Sequence, residues 1–524
     1  MTGPRRERLG GLWWQRGVVY QIYPRSFQDS NGDGVGDLVG IRRRLDHLEW
    51  LGVDAVWLSP IFRSPMADFG YDVADYRDVD PLFGTLANLD ELIADMHRRG
   101  MRLLLDYVPN HTSAQHPWFV DSRSARDAEH RDWYIWRDPS PGGGPPNAWQ
   151  SAFLGSAWEW DARTGQYYFH SFLKEQPDLN WTNPEVRAAM KAVMRYWFER
   201  GVDGFRVDVV NLLAKGPELA SPDHPDEHDK WGDEPAVHPL MRELRAVADE
   251  FDERVLIGEI WLPPSELVTF YGEALDELHL PFNFGLLELK EWGAETVCNA
   301  VVAYEKAMPP RAWPNWVLGN HDRRRMATRL GAAQARVATM MLLTLRGTPT
   351  LYYGDEIGMV EADLPRSVWR DPQGLRGGPT RDGCRTPMIW DATALGGFTT
   401  GAPWLPLDQP AGVDVATERD DPGSMLSLTR SLLELRRAEP ALNVGEWRDL
   451  GHAGSAIAYI RSSDAPDGRR FLVCLNLASK PAPLPAHATS LRGEIVVSTL
   501  PGGAGERFEG RDLAPDEGLV ICLG

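Results

Sequence analysis

Arg206 and Asp208 stand two positions apart in the run Gly204-Phe205-Arg206-Val207-Asp208-Val209-Val210. Phe205, Val207 and Val209 alternate with Arg206, Asp208 and Val210, and that period of two predicts a β-strand. On a strand the Arg and the Asp share one face. A buried parallel strand is ordinarily apolar throughout, and ionised groups there are costly unless paired or put to use. Two readings fit: a structural ion pair near a strand end, or a carboxylate nucleophile kept ionised by the guanidinium beside it, since a close positive charge lowers a carboxyl pKa. Three other fragments end predicted strands in polar residues: Asp106-Tyr107-Val108-Pro109-Asn110-His111, Gly258-Glu259-Ile260-Trp261 and Gly319-Asn320-His321-Asp322. Each alone reads equally well as a helix cap. Glu259 lies between Ile257 and Ile260 and near Trp261, surroundings expected to raise its pKa by desolvation.

Something must bring these fragments together. Strand patterns fall at 17–23, 53–58, 101–108, 204–210, 254–260, 317–320 and 349–353, and helix patterns at 41–52, 89–99, 183–200, 238–250 and 334–346. Strands alternating with helices predict βαβ units and a parallel sheet. Spread over about 350 residues, the alternation fits a (β/α)8 TIM barrel with insertions better than a doubly wound sheet. Barrel active sites lie at the C-terminal ends of the strands, where all four polar fragments fall. The expected organisation is a first barrel part at 1–108, an irregular aromatic and Gly/Pro-rich insertion (domain B) on the third βα loop at 109–173, and a second barrel part at 174–440. That second part carries a loop insertion at about 355–420. A helix at 424–438 closes the barrel. The short β-like runs after it predict a C-terminal antiparallel β-sandwich over 441–524. The stretch 221–234 reads as a polar loop.

The 524 residues are 43% hydrophobic, enough for a packed core, and the formal charge is -20. That charge argues against nucleic acid or an anionic membrane and fits a neutral substrate. The 21 tryptophans serve as core or as flat platforms for sugar rings. Cys298, Cys384, Cys474 and Cys522 are far apart with no metal spacing, so they read as free thiols of a reducing compartment. No signal peptide and no run of 18 apolar residues is visible, and the cytoplasm is the expected location. In Asp29-Ser30-Asn31-Gly32-Asp33-Gly34-Val35-Gly36-Asp37 the oxygens of Asp29, Asn31, Asp33, Val35 (backbone carbonyl) and Asp37 have the spacing of a hard-cation loop. Gly40 stands where the bidentate Glu would be. The alternatives are a structural Ca²⁺ or Mg²⁺ and a solvated acidic turn.

The fragments at 106–111, 204–209, 258–261 and 320–322 resemble, in order, the four signature regions of the α-amylase superfamily, glycoside hydrolase family 13. Gln176-Pro177-Asp178-Leu179-Asn180 resembles a fifth region found in its α-glucosidase and oligo-1,6-glucosidase branch. The resemblance covers nearly the whole chain. It implies Asp208 as nucleophile, Glu259 as acid and then base, and Asp322 as stabiliser of the transition state. It also implies that Arg206 keeps Asp208 ionised, that His111 and His321 hydrogen-bond the first sugar, and that Asp68, Tyr71 and Phe172 line the glucose pocket. Arg381 or Arg385 is a further contact, and the cation loop also matches this branch. The activity implied is an exo-acting retaining α-glucosidase on short oligosaccharides. The alternatives are an oligo-1,6-glucosidase, a glucosyltransferase or trehalose synthase using the same intermediate, and a non-catalytic transporter-associated relative. Val209, next to the nucleophile, resembles enzymes of α-1,6 bonds. One side chain is worth about 1–3 kcal/mol of discrimination, so both linkages are expected.

Overall fold

The computed structural model describes residues 11–215, 234–463 and 468–523. Apart from Glu234, where a helix begins, the polar loop expected at 221–234 lies outside the described residues. Eight parallel strands form the barrel: β1 Val19–Ile22, β2 Ala55–Leu58, β3 Arg102–Tyr107, β4 Gly204–Val207, β5 Val255–Gly258, β6 Leu280–Pro281, β7 Asn315–Val317 and β8 Thr348–Tyr352. β1 to β6 pair in sequence order, β7 pairs with β8 and β8 with β1, and an isolated parallel bridge from Asn283 to Trp316 joins the β6 and β7 ends of the sheet.

Side-chain parity explains both the core and the site. Val19, Ala55, Trp57, Leu104, Val255, Ile257, Leu280 and Val317 share one apolar cluster in the lumen, with Trp13, Trp14 and Trp313. Their neighbours Tyr20, Val56, Leu103, Leu105, Phe205, Val207 and Leu256 pack outward into the larger helix-facing core. Both faces of each strand are therefore buried, which is why the strands read as apolar runs. At the bottom of β4 the lumen has no space for a side chain: a Cβ on Gly204 would lie 2.4 Å from the Val255 carbonyl oxygen. Continuing the same parity toward the C-terminal ends brings Gln21, Asp106, Arg206, Asp208 and Glu259 into the lumen.

Several boundaries differ from expectation. The strand expected to reach Val210 stops at Val207, because Val209 turns into the left-handed region at φ 37°, ψ 52°. The helix expected at 41–52 is two, Leu38–Arg43 and Leu45–Leu51, meeting at Arg44. β6 has only two residues, one of them Pro, and gave no strand signal. The helix Ala294–Ala307 buries Val297, Cys298, Val301 and Tyr304 at helical spacing, a pattern that was readable. The insertion after β3 is more ordered than expected. It carries a helix, Pro117–Ser122, and a three-stranded antiparallel sheet of Trp136–Arg137, Gln166–Phe169 and Trp158–Asp161.

After the helix Met425–Ala438 come β9 Glu446–Ala453, β10 Ala456–Ser462, β11 Arg470–Asn476, β12 Gly493–Ser498, β13 Arg507–Phe508 and β14 Gly518–Leu523. They form one antiparallel sheet in the order β9-β10-β11-β14-β12-β13. Ile457, Tyr459, Phe471, Val473, Leu475 and Val520 face the barrel core, while Ala456, Ala458, Ile460, Leu472, Cys474 and Ile521 face a second core with Leu484 and Leu513. The sandwich expected here is thus a single sheet covered on both sides, by barrel helices on one and by 482–513 segments on the other. All four cysteines are free. Among the described residues no helix is long and apolar enough to cross a membrane.

Candidate active site

At the C-terminal mouth, Arg206 lies 2% exposed beneath the lumen surface. Its Nη1 donates to Asp106 Oδ1 at 2.8 Å and to Asp208 Oδ1 at 2.5 Å, and its Nη2 pairs with Glu259 Oε2 at 2.7 Å. One guanidinium therefore binds three carboxylates from β3, β4 and β5. Its face lies 5.1 Å from the Trp57 ring, an added cation–π contact. Asp106 also accepts from Trp57 Nε1 and from the Tyr71 hydroxyl, both at 3.1 Å. Glu259 accepts from Trp261 Nε1 at 2.8 Å and from the Val209 N–H at 3.1 Å. Those donors correct the apolar surroundings expected for Glu259.

The charge balance at Asp208 involves more than Arg206. Burial raises the Asp208 carboxyl. Arg206 opposes this, but the negative charges of Glu259 and Asp106 and a hydrogen bond with Glu259 add to the rise, and Asp208 stands well above the usual carboxylate range. Arg206 pulls Asp208 toward the ionised form, and it is shared three ways. Asp106 is likewise raised, to about 6, by burial against the pull of Arg206. Asp106 and Asp208 share that cation, and both are raised.

Asp322 is built differently. Burial works against its charge, but His321 where it is protonated, and Arg381, Arg385 and Arg206 throughout, prevail and hold it well below the usual range. Arg381 Nη1 and Arg385 Nη2 donate to its Oδ1 at 3.0 and 2.8 Å. Both arginines proposed from sequence thus reach the same carboxylate. Arg381 also binds Asp68 at 3.1 Å and Asp371 at 2.7 Å and faces the cavity, whereas Arg385 is 1% exposed and anchors the His321 carbonyl at 2.7 Å.

These groups surround a cavity of about 420 Å³ lined by Asp68, Tyr71, His111, Phe172, Asp208, Val209, Glu259, Asp322 and Arg381, with Phe153, Gln176 and Trp261. That volume suits a sugar-sized ligand. Arg206, His321 and Arg385 stand behind its wall. Phe172 packs on His111 with ring centroids 5.3 Å apart. His111 meets the Gln176 amide nitrogen at 3.1 Å, and burial lowers its pKa. The sequence reading missed Gln21, Trp57, Gln176 and Asp371 as site residues and gave Asp106 no role. Asp106 and Gln176 lie within fragments already singled out, and parity on β1 and β2 could have pointed to Gln21 and Trp57. Asp371 sits in a long loop with no local signal.

The loop at 29–37 folds into successive side-chain turns. Asp29 accepts from the N–H groups of Asn31, Gly32 and Gly34 and from Thr399 Oγ1. Asn31 and Asp33 accept from the N–H groups of Asp33 and Val35, and Asp37 from those of Ser30 and Gly40. The donor set is all oxygen, the kind a hard cation takes. Among the described residues no three His, Cys, Asp or Glu side chains gather as a metal site, so a cation here would need the Asn31 amide and backbone carbonyls as well.

The sequence model of the alpha-amylase catalytic domain matches residues 21–445. A protein of Rhizobium meliloti (strain 1021) named "Probable alpha-glucosidase" is 42% identical over 495 residues, covering 88% of this chain and 89% of its own. An oligo-1,6-glucosidase of Parageobacillus thermoglucosidasius is 36% identical over 564 residues, covering 98% and 99%. Among solved structures, an alpha-glucosyl transfer enzyme superposes with a TM-score of 0.87 at 38% identity, over 98% of this chain and 100% of that one.

Proposed function

The chain belongs to the alpha-amylase family and is a glycoside hydrolase of the α-glucosidase kind, and on that premise we propose that it removes terminal α-linked glucose from short oligosaccharides with retention of configuration. The observation that carries this is the single guanidinium bonded to both Asp208 and Glu259. Two carboxyls on one cation lie close together, as a retaining mechanism, with its pair about 5–5.5 Å apart, requires. In this reading Asp208 attacks the anomeric carbon as Glu259 gives its proton to the departing oxygen. Glu259 then takes a proton from water, which breaks the glucosyl–Asp208 bond. For this step a proton must sit on Glu259 while Asp208 is bare. Arg206 touches both, so it keeps its contacts as the proton passes from one to the other. Asp322, fixed as an anion, faces the positive charge that develops on the sugar ring. Asp68, Tyr71, His111 and Phe172 would hold the non-reducing glucose.

Val209 lines the cavity beside Asp208, where it would touch the second sugar and bias linkage. Maltose-type and α-1,6 substrates are both expected. The likeness to a glucosyl transfer enzyme supports a second reading, in which a sugar hydroxyl takes the place of water on the same intermediate. The loop at 29–37 is proposed to take a structural Ca²⁺ or Mg²⁺; calorimetric titration of metal-stripped protein with either ion, giving no heat and no rise in Tm, would exclude it. The central test is turnover of p-nitrophenyl α-glucoside, with the anomer of the released glucose read by NMR. Asp208→Asn and Glu259→Gln should each lower kcat by about three or more orders of magnitude with the fold intact, and α-glucose should appear first. Near-normal turnover by Asp208→Asn, or initial release of β-glucose, would refute the mechanism.

A further inference from the structure

Gln21 is wholly buried on β1. Its Nε2 lies 2.7 Å from His321 Nδ1 and 3.1 Å from Ser59 Oγ. An amide nitrogen donates hydrogen bonds and does not accept them. With the amide nitrogen toward the ring, which leaves Gln21 Oε1 buried without a hydrogen-bond partner, Nδ1 is the acceptor, and the one proton of a neutral imidazole falls on Nε2. Nε2 is 2.7 Å from the Tyr71 hydroxyl, which is 3.1 Å from Asp106 Oδ2. The other oxygen of Asp106 takes Arg206. In this tautomer the donors run from Gln21 through His321 and Tyr71 to the carboxylate cluster, with Asp322 Oδ2 a second neighbour of Nε2 at 3.4 Å.

The ring itself has little freedom. It is stacked on Tyr71, with centroids 5.6 Å apart and planes 3° apart, and on Tyr23 at 5.9 Å and 21°. The titratable and charged groups that face it are Tyr23, Tyr71, Asp322, Arg206, Arg381 and Arg385. Burial outweighs the attraction of Asp322 and, with the three arginines, pulls the imidazole down to about 3, so the ring is neutral over the working pH range.

We propose that Gln21 is a positioning residue: its amide N–H fixes His321 in the neutral Nε2–H form and so aims the Tyr71 hydroxyl at Asp106. The consequence for turnover rests on the glycosidase reading above; the tautomer does not. Replacing Gln21 by Glu changes shape little and, at pH values where the carboxyl is ionised, leaves only acceptors. Nδ1 must then carry a proton, as the other tautomer or as imidazolium. In the first case Nε2 becomes an acceptor and draws the Tyr71 hydroxyl away from Asp106.

The test uses the full-length enzyme with ¹⁵N-labelled histidine, the His321 signals being assigned by their loss in His321→Asn. Wild type should show an acceptor-type nitrogen at Nδ1 and a protonated one at Nε2. Gln21→Glu should show a protonated Nδ1. Its kcat should fall by about tenfold or more, as for loss of a hydrogen bond to a charged group, with KM held within about threefold and an added ionisation in the pH profile of kcat. A protonated Nδ1 in wild type would overturn the proposal. So would a folded Gln21→Glu whose spectrum and pH profile match wild type. If Gln21→Glu does not fold, the wild-type spectrum alone decides. If wild type cleaves no glucoside, the glycosidase reading fails while the spectrum still judges the tautomer.

Discussion

Changing Arg206 to Lys keeps a positive charge and removes the fork. In the native site Nη1 holds Asp106 at 2.8 Å and Asp208 at 2.5 Å, and Nη2 holds Glu259 at 2.7 Å. An ammonium is a single donor centre on a shorter reach, so it can serve one or two of the three carboxylates. At least one buried carboxylate then loses its cation, at a cost of about 3–5 kcal/mol. Arg206→Lys should lose that much stability in urea unfolding. If the spacing of Asp208 and Glu259 loosens by the same energy in the transition state, kcat/KM falls by about 10²–10³-fold or more, at 1.36 kcal/mol per decade. With that charge in contact with fewer of the carboxyls, those left without it ionise at higher pH, and the acid limb of the kcat/KM profile should move upward. Kinetics on p-nitrophenyl α-glucoside across about pH 4–9, with matched urea titrations, measure all three. A variant within about threefold of wild-type kcat/KM and about 1 kcal/mol of its stability would show that the fork does not organise the site.

Three other outcomes follow from groups on the same framework. Burial raises Asp72 to about 6, Asp355 to about 7 and Glu418 to about 8; their contribution is complete below the ordinary carboxyl values and is lost as pH rises through 6 to 8, so urea stability should drop by roughly 3–6 kcal/mol between pH 5.5 and 8.5, and a flat profile would contradict it. Lys215, with its side chain 4% exposed, pairs with Asp178 at 2.8 Å; Lys215→Met should cost about 3–5 kcal/mol, and adding Asp178→Asn should recover part of it, which a double-mutant cycle by denaturation checks. Val209→Ala should shift the isomaltose-to-maltose ratio of kcat/KM by about 1–3 kcal/mol, or roughly 5–150-fold; an unchanged ratio would remove Val209 from linkage selection.

Much of the fold could be read locally. A parallel strand buried on both sides shows as an apolar run, and Val53–Leu58 and Met101–Val108 announced β2 and β3 to within two residues. Caps were equally visible: Asn183 and Ser424 accept from Glu185 and Ser427 N–H groups at the helix starts where the patterns began. β6 was not legible, since two residues make no period and the strand exists only because β5 and the bridge from Asn283 to Trp316 flank it. The inserted sheet was hidden for a related reason, its strands being two to four residues long and held by aromatic contacts such as Phe119 on Trp136 at 5.8 Å.

The site shows the limit more sharply. That Arg206 and Asp208 share a face follows from a spacing of two, and the structure has them in contact. How much of that cation Asp208 receives depends on Asp106 and Glu259, which lie about 100 and 50 positions away and arrive only when β3, β4 and β5 pair in register: Asp106 opposite Arg206, and Arg206 opposite Ile257. A pairwise reading gives one Arg to one Asp and an ionised nucleophile. The closed barrel gives one Arg to three carboxyls and buries them, and at Asp208 desolvation, joined by the repulsion of Glu259 and Asp106, outweighs the attraction of Arg206. The protonation state of the cluster is thus a property of barrel closure. By that logic, separating Asp106 from the group with Asp106→Asn should lower the pKa of Asp208 and move the acid limb of kcat/KM downward, the opposite direction to Arg206→Lys. Two shifts of the same sign would mean that the three carboxyls do not titrate together.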